Sequence, residues 1–141
     1  MTFRHLSDMV KDKNPVTLPA SAAVQKACQQ MRERRVGAVL VTDKRHRLVG
    51  IFTGRDAVAR VLAEGRDVAK TRLADVMTAA PSTLSPGMTA IDALRLMQDG
   101  GFRHVPIVDQ GRIVSVVSRG DFRGLEQARL DEETELMERI W

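Results

Sequence analysis

The chain has 141 residues, of which 43% are hydrophobic and 28% are charged, and its formal net charge is +4. This length suits one ordinary domain or two small halves that share a core. It contains no apolar run near the roughly 20 residues of a membrane span and no apolar signal-peptide core. Because Cys28 is the only cysteine, an intrachain disulfide and a thiolate metal cage are excluded, and we expect a cytoplasmic protein.

The charge is unevenly distributed along the chain. Residues 1–70 carry 14 Lys and Arg against 7 Asp and Glu, whereas residues 71–141 carry 8 against 11. A basic half can attract phosphate-bearing ligands or nucleic acid, or can be no more than a solvated surface. The side chains that could form a nucleic-acid patch are Arg32, Arg34, Arg35, Lys44, Arg45 and Arg47. Aromatic residues for base stacking are scarce, so nucleic-acid binding is kept as the alternative.

The first half predicts elements in the order β-α-β-β-α. An extended segment at residues 16–18 precedes a helix with apolar residues at helical spacing: Val24, Ala27, Cys28 and Met31. Strands at residues 37–42 and 47–52 flank a polar turn and predict a hairpin. A second helix is predicted to begin at Thr53, with an inward face made of Ala57, Val58, Val61 and Leu62.

The second half repeats this order. Residues 15–43 align with residues 81–109 at an offset of 66, and the offset becomes 65 after the second hairpin turn loses one residue. The inward face of the repeated helix consists of Ala90, Ala93, Leu94 and Met97, and its start, Thr89 to Asp92, predicts a capping box. Pro106 lies inside a predicted strand and favours an edge position or an irregular start. We interpret the pattern as an internal duplication.

In both halves an apolar strand ends in a hydroxyl residue that is followed three positions later by an aspartate. The two pairs are Thr53 with Asp56 and Ser118 with Asp121. This spacing predicts a helix start with a capping pair. Unpaired backbone N–H groups and the positive end of the helix dipole suit an anion such as phosphate. The pairs could equally cap their helices and do nothing more.

The chain resembles a tandem pair of cystathionine β-synthase (CBS) domains, which form a Bateman module. The resemblance is carried by residues 50–56 (Gly-Ile-Phe-Thr-Gly-Arg-Asp), 115–121 (Ser-Val-Val-Ser-Arg-Gly-Asp), 102–109 (Phe-Arg-His-Val-Pro-Ile-Val-Asp) and 75–78 (Asp-Val-Met-Thr). We therefore expect an α/β (α+β) fold of two β-α-β-β-α repeats with pseudo-two-fold symmetry and sheets packed face to face. The expected boundaries are residues 1–70, 71–125 and, for an acidic helical tail, 126–141.

The resemblance implies a regulatory module that binds AMP, ADP, ATP or S-adenosylmethionine in clefts between the repeats. One implied cleft combines Thr53, Arg55 and Asp56 with Arg103, His104 and Val105. The pseudo-symmetric cleft combines Ser118, Arg119 and Asp121 with Val36, Gly37 and Ala38. Because Gly37 and Ala38 stand where the other repeat has Arg103 and His104, we expect the cleft with Asp56 to be the tighter phosphate site.

Other functions are weighed against this one. No catalytic constellation is recognisable, and the three histidines lack metal-ligand spacing, so we expect neither an enzyme nor a metal site. The expected partners are a second copy of the chain, which would form a homodimer, and an unidentified protein that the module regulates. We expect no association with a membrane. A ligand-free structural dimerisation module is a further alternative. The apolar side of the tail either packs on its own domain or forms a dimer contact.

Overall fold

The computed structural model describes residues 4–10 and 14–122. The helices are α1 (Leu6–Met9), α2 (Val24–Arg34), α3 (Gly54–Asp56), α4 (Leu73–Val76) and α5 (Ala90–Gly100). The strands are β1 (Thr17–Pro19), β2 (Ala38–Thr42), β3 (Leu48–Thr53), β4 (Thr78–Ala79), β5 (His104–Asp109) and β6 (Arg112–Ser118). A π-helix, Ala57–Leu62, continues α3, and a 3-10 turn, Arg119–Asp121, follows β6. The predicted α/β class is confirmed, while the predicted acidic tail lies outside the described residues.

The chain divides into two compact units. The first, called the N-repeat unit, comprises residues 14–82 and 110–113. Of the described residues, the second, called the C-repeat unit, comprises 4–10, 83–109 and 114–122. The expected face-to-face packing of two sheets, and the boundaries expected along the chain, stay predictions.

A four-stranded sheet in the order β1-β2-β3-β4 forms the N-repeat unit. β1 runs parallel to β2, whereas β3 is antiparallel to both β2 and β4. All five residues of β2 are buried, as expected for a central strand of mostly apolar residues. The buried residues Val24, Ala27 and Met31 of α2 join Phe52 in one core cluster. Full burial of Phe52 contributes roughly 1.5–3 kcal/mol relative to leaving it exposed.

The C-repeat unit holds α5 and the two-stranded sheet β5-β6, except for residues 110–113, which belong to the N-repeat unit. Gln110 and Gly111 connect the strands with φ angles of 48° and 79°, as in the tight turns that join two hairpin strands. Leu84 forms an isolated parallel bridge with Ile107 on the other side of β5. The backbone N–H of Leu84 donates to the carbonyl of Pro106 at 3.1 Å. The N–H that Pro106 lacks would therefore face this sparsely paired edge and not β6, which fits the predicted edge position.

The short helices α1 and α4 are exchanged between the repeats. The N–H of Leu6 in α1 donates to the carbonyl of Met88 at 2.8 Å, just before α5. The N–H of Leu73 in α4 donates to the carbonyl of Ala22 at 2.9 Å, just before α2. The helices α1 and α4, which precede the first and second repeats in the chain and are called the lead-in helices, thus each pack in the unit that the other repeat builds. Leu6 and Leu73 are both fully buried.

The predicted helix faces are largely confirmed. α2 buries Val24, Ala27 and Met31, and α5 buries all four of the residues assigned to its inward face. Cys28 is partly buried against the same cluster as α2, and burial raises the pKa of its thiol. These observations agree with a core role for Cys28.

The inward face predicted after Thr53 is partly wrong. Val61 is fully buried, but Val58 and Leu62 are 60% and 66% exposed. The cause is the π-helix, in which the N–H of Ala63 donates to the carbonyl of Val58, five residues earlier. Each turn therefore takes more residues than the 3.6 of an α-helix. This wider turn rotates Val58 and Leu62 away from the face that Val61 buries. Among the described residues, the segment after Ser118 forms only a single 3-10 turn and is extended again at Phe122.

Candidate functional site

The turn at the end of β3 is a closed capping box. Thr53 is the N-cap residue, and its backbone N–H donates to Asp56 Oδ2 at 2.9 Å. The hydroxyl of Thr53 donates to the same oxygen at 3.1 Å and accepts from the backbone N–H of Asp56 at 3.3 Å. The predicted capping pair is therefore confirmed in this turn, and its geometry holds the carboxylate of Asp56 in place.

The second carboxylate oxygen of Asp56 faces Arg60, a neighbour that the sequence interpretation did not include. Arg60 Nε lies 3.6 Å from Asp56 Oδ1. The side chain of Asp56 is only 14% exposed, while that of Arg60 is 48% exposed. Arg60 Nη1 also donates to the carbonyl of Met77 at 3.0 Å, so it links this turn to the residue after α4. The one sequence signal for Arg60 was its i,i+4 spacing from Asp56.

The start of β2 lies beside the Thr53 turn. The backbone N–H of Gly54 donates to the carbonyl of Gly37 at 3.1 Å, and Ala38 is the strand partner of Thr53. Val36 is 40% exposed, whereas Ala38 is buried. The structure thus brings residues 36–38 together with residues 53–56 in the N-repeat unit.

The turn at the end of β6 repeats the two hydrogen bonds to the aspartate carboxylate. The backbone N–H of Ser118 donates to Asp121 Oδ2 at 2.7 Å, and its hydroxyl donates to the same oxygen at 3.2 Å. The backbone N–H of Arg119 donates to the carbonyl of Arg103 at 2.9 Å. Arg4 also reaches this turn, since its guanidinium donates to the carbonyl of Asp121 at 3.3 Å. The C-repeat unit therefore joins residues 103–105 to residues 118–121.

His104 is the titratable side chain whose environment is most informative in this second cluster. Burial lowers its pKa, the carboxylate of Asp121 acts against that effect, and the charge of Arg103 adds to it. The imidazole is therefore mainly neutral at pH 7 and can donate one hydrogen bond and accept another. Val105, the next residue, is fully buried and contributes to the core beneath the cluster.

All twelve predicted site residues thus fall into two equivalent clusters, one in each unit. The first contains Val36, Gly37, Ala38, Thr53, Arg55 and Asp56, and the second contains Arg103, His104, Val105, Ser118, Arg119 and Asp121. Within each unit, the start of one hairpin strand meets the capped end of the other. The combination of residues from different repeats in one cleft, as expected from the resemblance, stays a prediction.

The basic residues considered for a nucleic-acid patch are found in different settings. Arg34 Nη2 donates to the carbonyl of Asn14 at 3.1 Å, whereas Arg45 and Arg47 line a cavity beside the turn between β2 and β3. Within residues 4–10 and 14–122, no three His, Cys, Asp or Glu side chains are grouped to hold a metal ion. Over the same residues, no helix combines the length and apolarity needed to cross a bilayer.

Comparison with known proteins identifies the family. The CBS domain family matches the chain twice, at residues 6–63 and 73–126. The chain belongs to the CBS domain family. The two matches confirm the tandem pair predicted from the duplicated turns.

Related CBS proteins support this assignment. The CBS domain-containing protein YhcV of Bacillus subtilis is 35% identical over 105 residues, covering 74% of this chain and 74% of YhcV. A putative signal-transduction protein with CBS domains from Burkholderia ambifaria has a solved structure with a TM-score of 0.78 and 29% identity, covering 83% of this chain and 89% of that one.

Two further comparisons concern the shared fold and the share of the relatives' length that this chain covers. A CBS domain protein of Pyrobaculum aerophilum, solved in complex with AMP, has a TM-score of 0.81 over 91% of this chain and 98% of that one. At 24% identity it shows the shared fold. The CBS pair spans only 18–19% of the length of five CBS domain-containing proteins of Arabidopsis thaliana, to which it is 36–39% identical.

Proposed function

We propose that this CBS pair binds an adenine nucleotide or a related adenosyl ligand (AMP, ADP, ATP or S-adenosylmethionine) and reports the binding to a partner protein. The observation that carries the proposal is the duplicated turn, in which Asp56 Oδ2 and Asp121 Oδ2 each hold the backbone N–H of the last strand residue. The AMP bound to the Pyrobaculum aerophilum protein supports this class of ligand for a chain of this fold.

The ribose is the part of the ligand that suits these carboxylates. Asp56 uses Oδ2 to hold the turn, while Oδ1 has only a contact of 3.6 Å with the half-exposed Arg60. An ion pair of this length with a half-exposed arginine is weak, so a ribose hydroxyl can replace it at small cost. Each hydrogen bond from a hydroxyl to the ionised carboxylate would then contribute roughly 1.5–3 kcal/mol.

Phosphate groups suit the arginines beside the two turns. Arg55 lies two residues after the N-cap residue Thr53, and Arg119 directly follows the N-cap residue Ser118. The exposed Arg103 accepts the backbone N–H of Arg119 at its carbonyl. Guanidinium groups bind phosphate oxygens with two parallel hydrogen bonds. His104 is kept neutral by burial, so it can bind a polar ligand atom without adding charge. Residues of both repeats would meet in one cleft, and the cleft with Asp56 would be the tighter phosphate site.

A regulatory module needs a surface that a partner protein can bind. Val58 and Leu62 leave two large apolar side chains more than half exposed on one helix, and such positions are common where proteins associate. We assign this helix face to a homodimer contact. Because α3 and the π-helix begin at the ligand-holding turn, occupation of the turn can shift the population of conformations seen by the regulated protein.

Calorimetric titration of the full chain with AMP, ADP, ATP and S-adenosylmethionine tests the proposal. We expect saturable binding of at least one of the four ligands and a rise in the melting temperature with the same ligand, because a ligand that binds only the folded state stabilises it. Guanosine monophosphate is the matched control for the base. Absence of binding by all four adenosyl ligands at millimolar concentration would overturn the proposal and favour a ligand-free dimerisation module.

A further inference from the structure

A cavity of about 750 Å³ lies in the N-repeat unit, and none of the twelve predicted site residues lines it. Its lining includes Arg45, His46 and Arg47 from the turn between β2 and β3, Arg112 from the next hairpin, and Thr17 of β1. This turn joins the ends of β2 and β3 that are remote from Thr53. The five residues of β2 separate the two places by about 14 Å, at roughly 3.4 Å per residue. The lining also reaches Thr17, the strand partner of Leu40 in the middle of β2, but it includes no residue of the Thr53 turn.

The cavity carries an excess of positive charge. Three of its lining residues are arginines, and none of the described residues that line it is acidic. Among the described residues, the guanidinium groups of Arg45, Arg47 and Arg112 form no ion pair and no hydrogen bond, whereas other arginines such as Arg34 and Arg72 do. Three like charges around one cavity repel each other, and an anion bound among them would relieve that repulsion.

The carboxylate of Asp43, at the start of the turn that carries Arg45 and Arg47, is already engaged in hydrogen bonds. Asp43 Oδ1 accepts from the backbone N–H of Arg45 at 2.8 Å and from that of Arg47 at 2.9 Å. The N–H of Arg47 and the charges of both arginines lower the pKa of Asp43. The carboxylate therefore fixes the backbone of the turn, as aspartates do in tight turns, and the arginine side chains extend from a turn of defined shape.

The backbone of the turn is closed by further bonds. The N–H of Asp43 donates to the carbonyl of Arg47, and the N–H of His46 donates to the carbonyl of Asp43, both at 3.0 Å. His46 has a φ of 61°, a left-handed conformation that non-glycine residues adopt at a cost and that the surrounding bonds must maintain. Because the turn is ordered before a ligand arrives, less entropy is lost when the arginines bind one.

We propose that this cavity binds a small anion carrying two or more phosphate groups, such as an inorganic or a nucleoside oligophosphate. Arginine forks match phosphate oxygens, and a volume of about 750 Å³ falls within the range of small-molecule sites. The cavity is concave, whereas a duplex nucleic acid needs an extended basic surface. This site is independent of the adenosyl clusters, since it shares no residue with them.

Calorimetric titration of the full chain with inorganic triphosphate at low salt tests the proposal. We expect saturable binding with one triphosphate per chain, and affinity that falls by roughly tenfold or more in Arg45→Gln and in Arg112→Gln. Arg66→Gln is the matched control, because Arg66 is exposed in the same unit but does not line the cavity. Neither Arg66→Gln nor Asp56→Asn should change the affinity for triphosphate.

The arms of this experiment separate the sources of the ligand. If the cavity accepts nucleotides, adenosine triphosphate should still bind to the Asp56→Asn, Asp121→Asn double variant. If only inorganic triphosphate binds, the ligand is a free oligophosphate. Both results support the site. The proposal is overturned if triphosphate does not bind, or if Arg66→Gln weakens binding as much as Arg45→Gln. It is also overturned if a 20-base-pair duplex DNA, a length of about 70 Å, binds more tightly than triphosphate.

Discussion

Among the described residues, three capping boxes pair a hydroxyl residue with an aspartate, and only two of these three belong to the proposed adenosyl clusters. Asp56 and Asp121 hold the turns after β3 and β6, whereas Asp92 caps α5 by accepting from the backbone N–H of Thr89 at 3.0 Å. Replacing each aspartate by alanine removes the same kind of structural bond. Only two of the three variants would also remove a ligand contact, so Asp92→Ala is an internal control.

The expected magnitudes follow from these bonds. Each variant loses about 1 kcal/mol of unfolding free energy with its cap, which lowers the melting temperature by roughly 2–5 °C for a chain of this size. Asp56→Ala and Asp121→Ala should also weaken the adenosyl ligand at their own site. Loss of one hydrogen bond to an ionised group, roughly 1.5–3 kcal/mol, corresponds to an affinity about 10- to 150-fold lower.

Urea denaturation and calorimetric titration of the three variants separate the two effects. We expect similar losses of stability in all three, and a loss of ligand affinity only in Asp56→Ala and Asp121→Ala. If Asp92→Ala weakens binding as much as the other two, the loss reports stability and the reasoning is refuted. The reasoning is also refuted if neither Asp56→Ala nor Asp121→Ala changes the affinity.

Three further outcomes are expected. Gly50→Ala should lower the unfolding free energy by about 1–3 kcal/mol in urea titrations, because a Cβ at this position collides with the side chain of Met77. Gly54 has open space where its Cβ would lie, so Gly54→Ala should cause no such loss. Equal losses in the two variants would contradict this packing. Because burial lowers the pKa of His104 below its usual 6.5, the native state should lose stability as the pH falls from about 6.5. His104→Gln should flatten that part of the pH profile of the urea midpoint, and an unchanged profile would count against it. Leu62→Ser should leave the urea midpoint nearly unchanged but shift sedimentation from dimer towards monomer; a monomeric wild-type chain would rule out the dimer contact.

The duplication and the main helix faces could be predicted because they depend on local patterns. Val24, Ala27 and Met31 recur at helical spacing, and a hydroxyl residue followed by an aspartate three positions later sets a capping box wherever it ends a strand. These short-range rules hold whatever the rest of the chain does. The strand before each box was also recognisable, since it is apolar over several residues and bounded by a turn.

The exchange of the lead-in helices could not be predicted from the same patterns. An apolar residue such as Leu6 or Leu73 indicates burial, but it does not indicate which repeat provides the contact. Chain order suggested that each lead-in precedes its own repeat, whereas the hydrogen bonds join Leu6 to the residues before α5 and Leu73 to those before α2. The choice depends on long-range packing.

The prediction of the inward face after Thr53 was partly wrong for a related reason. Helical spacing assumes 3.6 residues per turn, and nothing in residues 57–62 signals a π-helix. Arg60 was missed because its role depends on Met77, which is close only after folding. The basic cavity was missed because Arg112 is far in sequence from Arg45 and Arg47, although the three line one space.

A crystal structure of the full chain grown with millimolar AMP tests the central claim most directly. We predict AMP with its ribose hydroxyls within hydrogen-bond distance of Asp56 or Asp121 and its phosphate near an arginine of the clusters. AMP bound elsewhere, with both carboxylates engaged only in their capping boxes, would contradict the account.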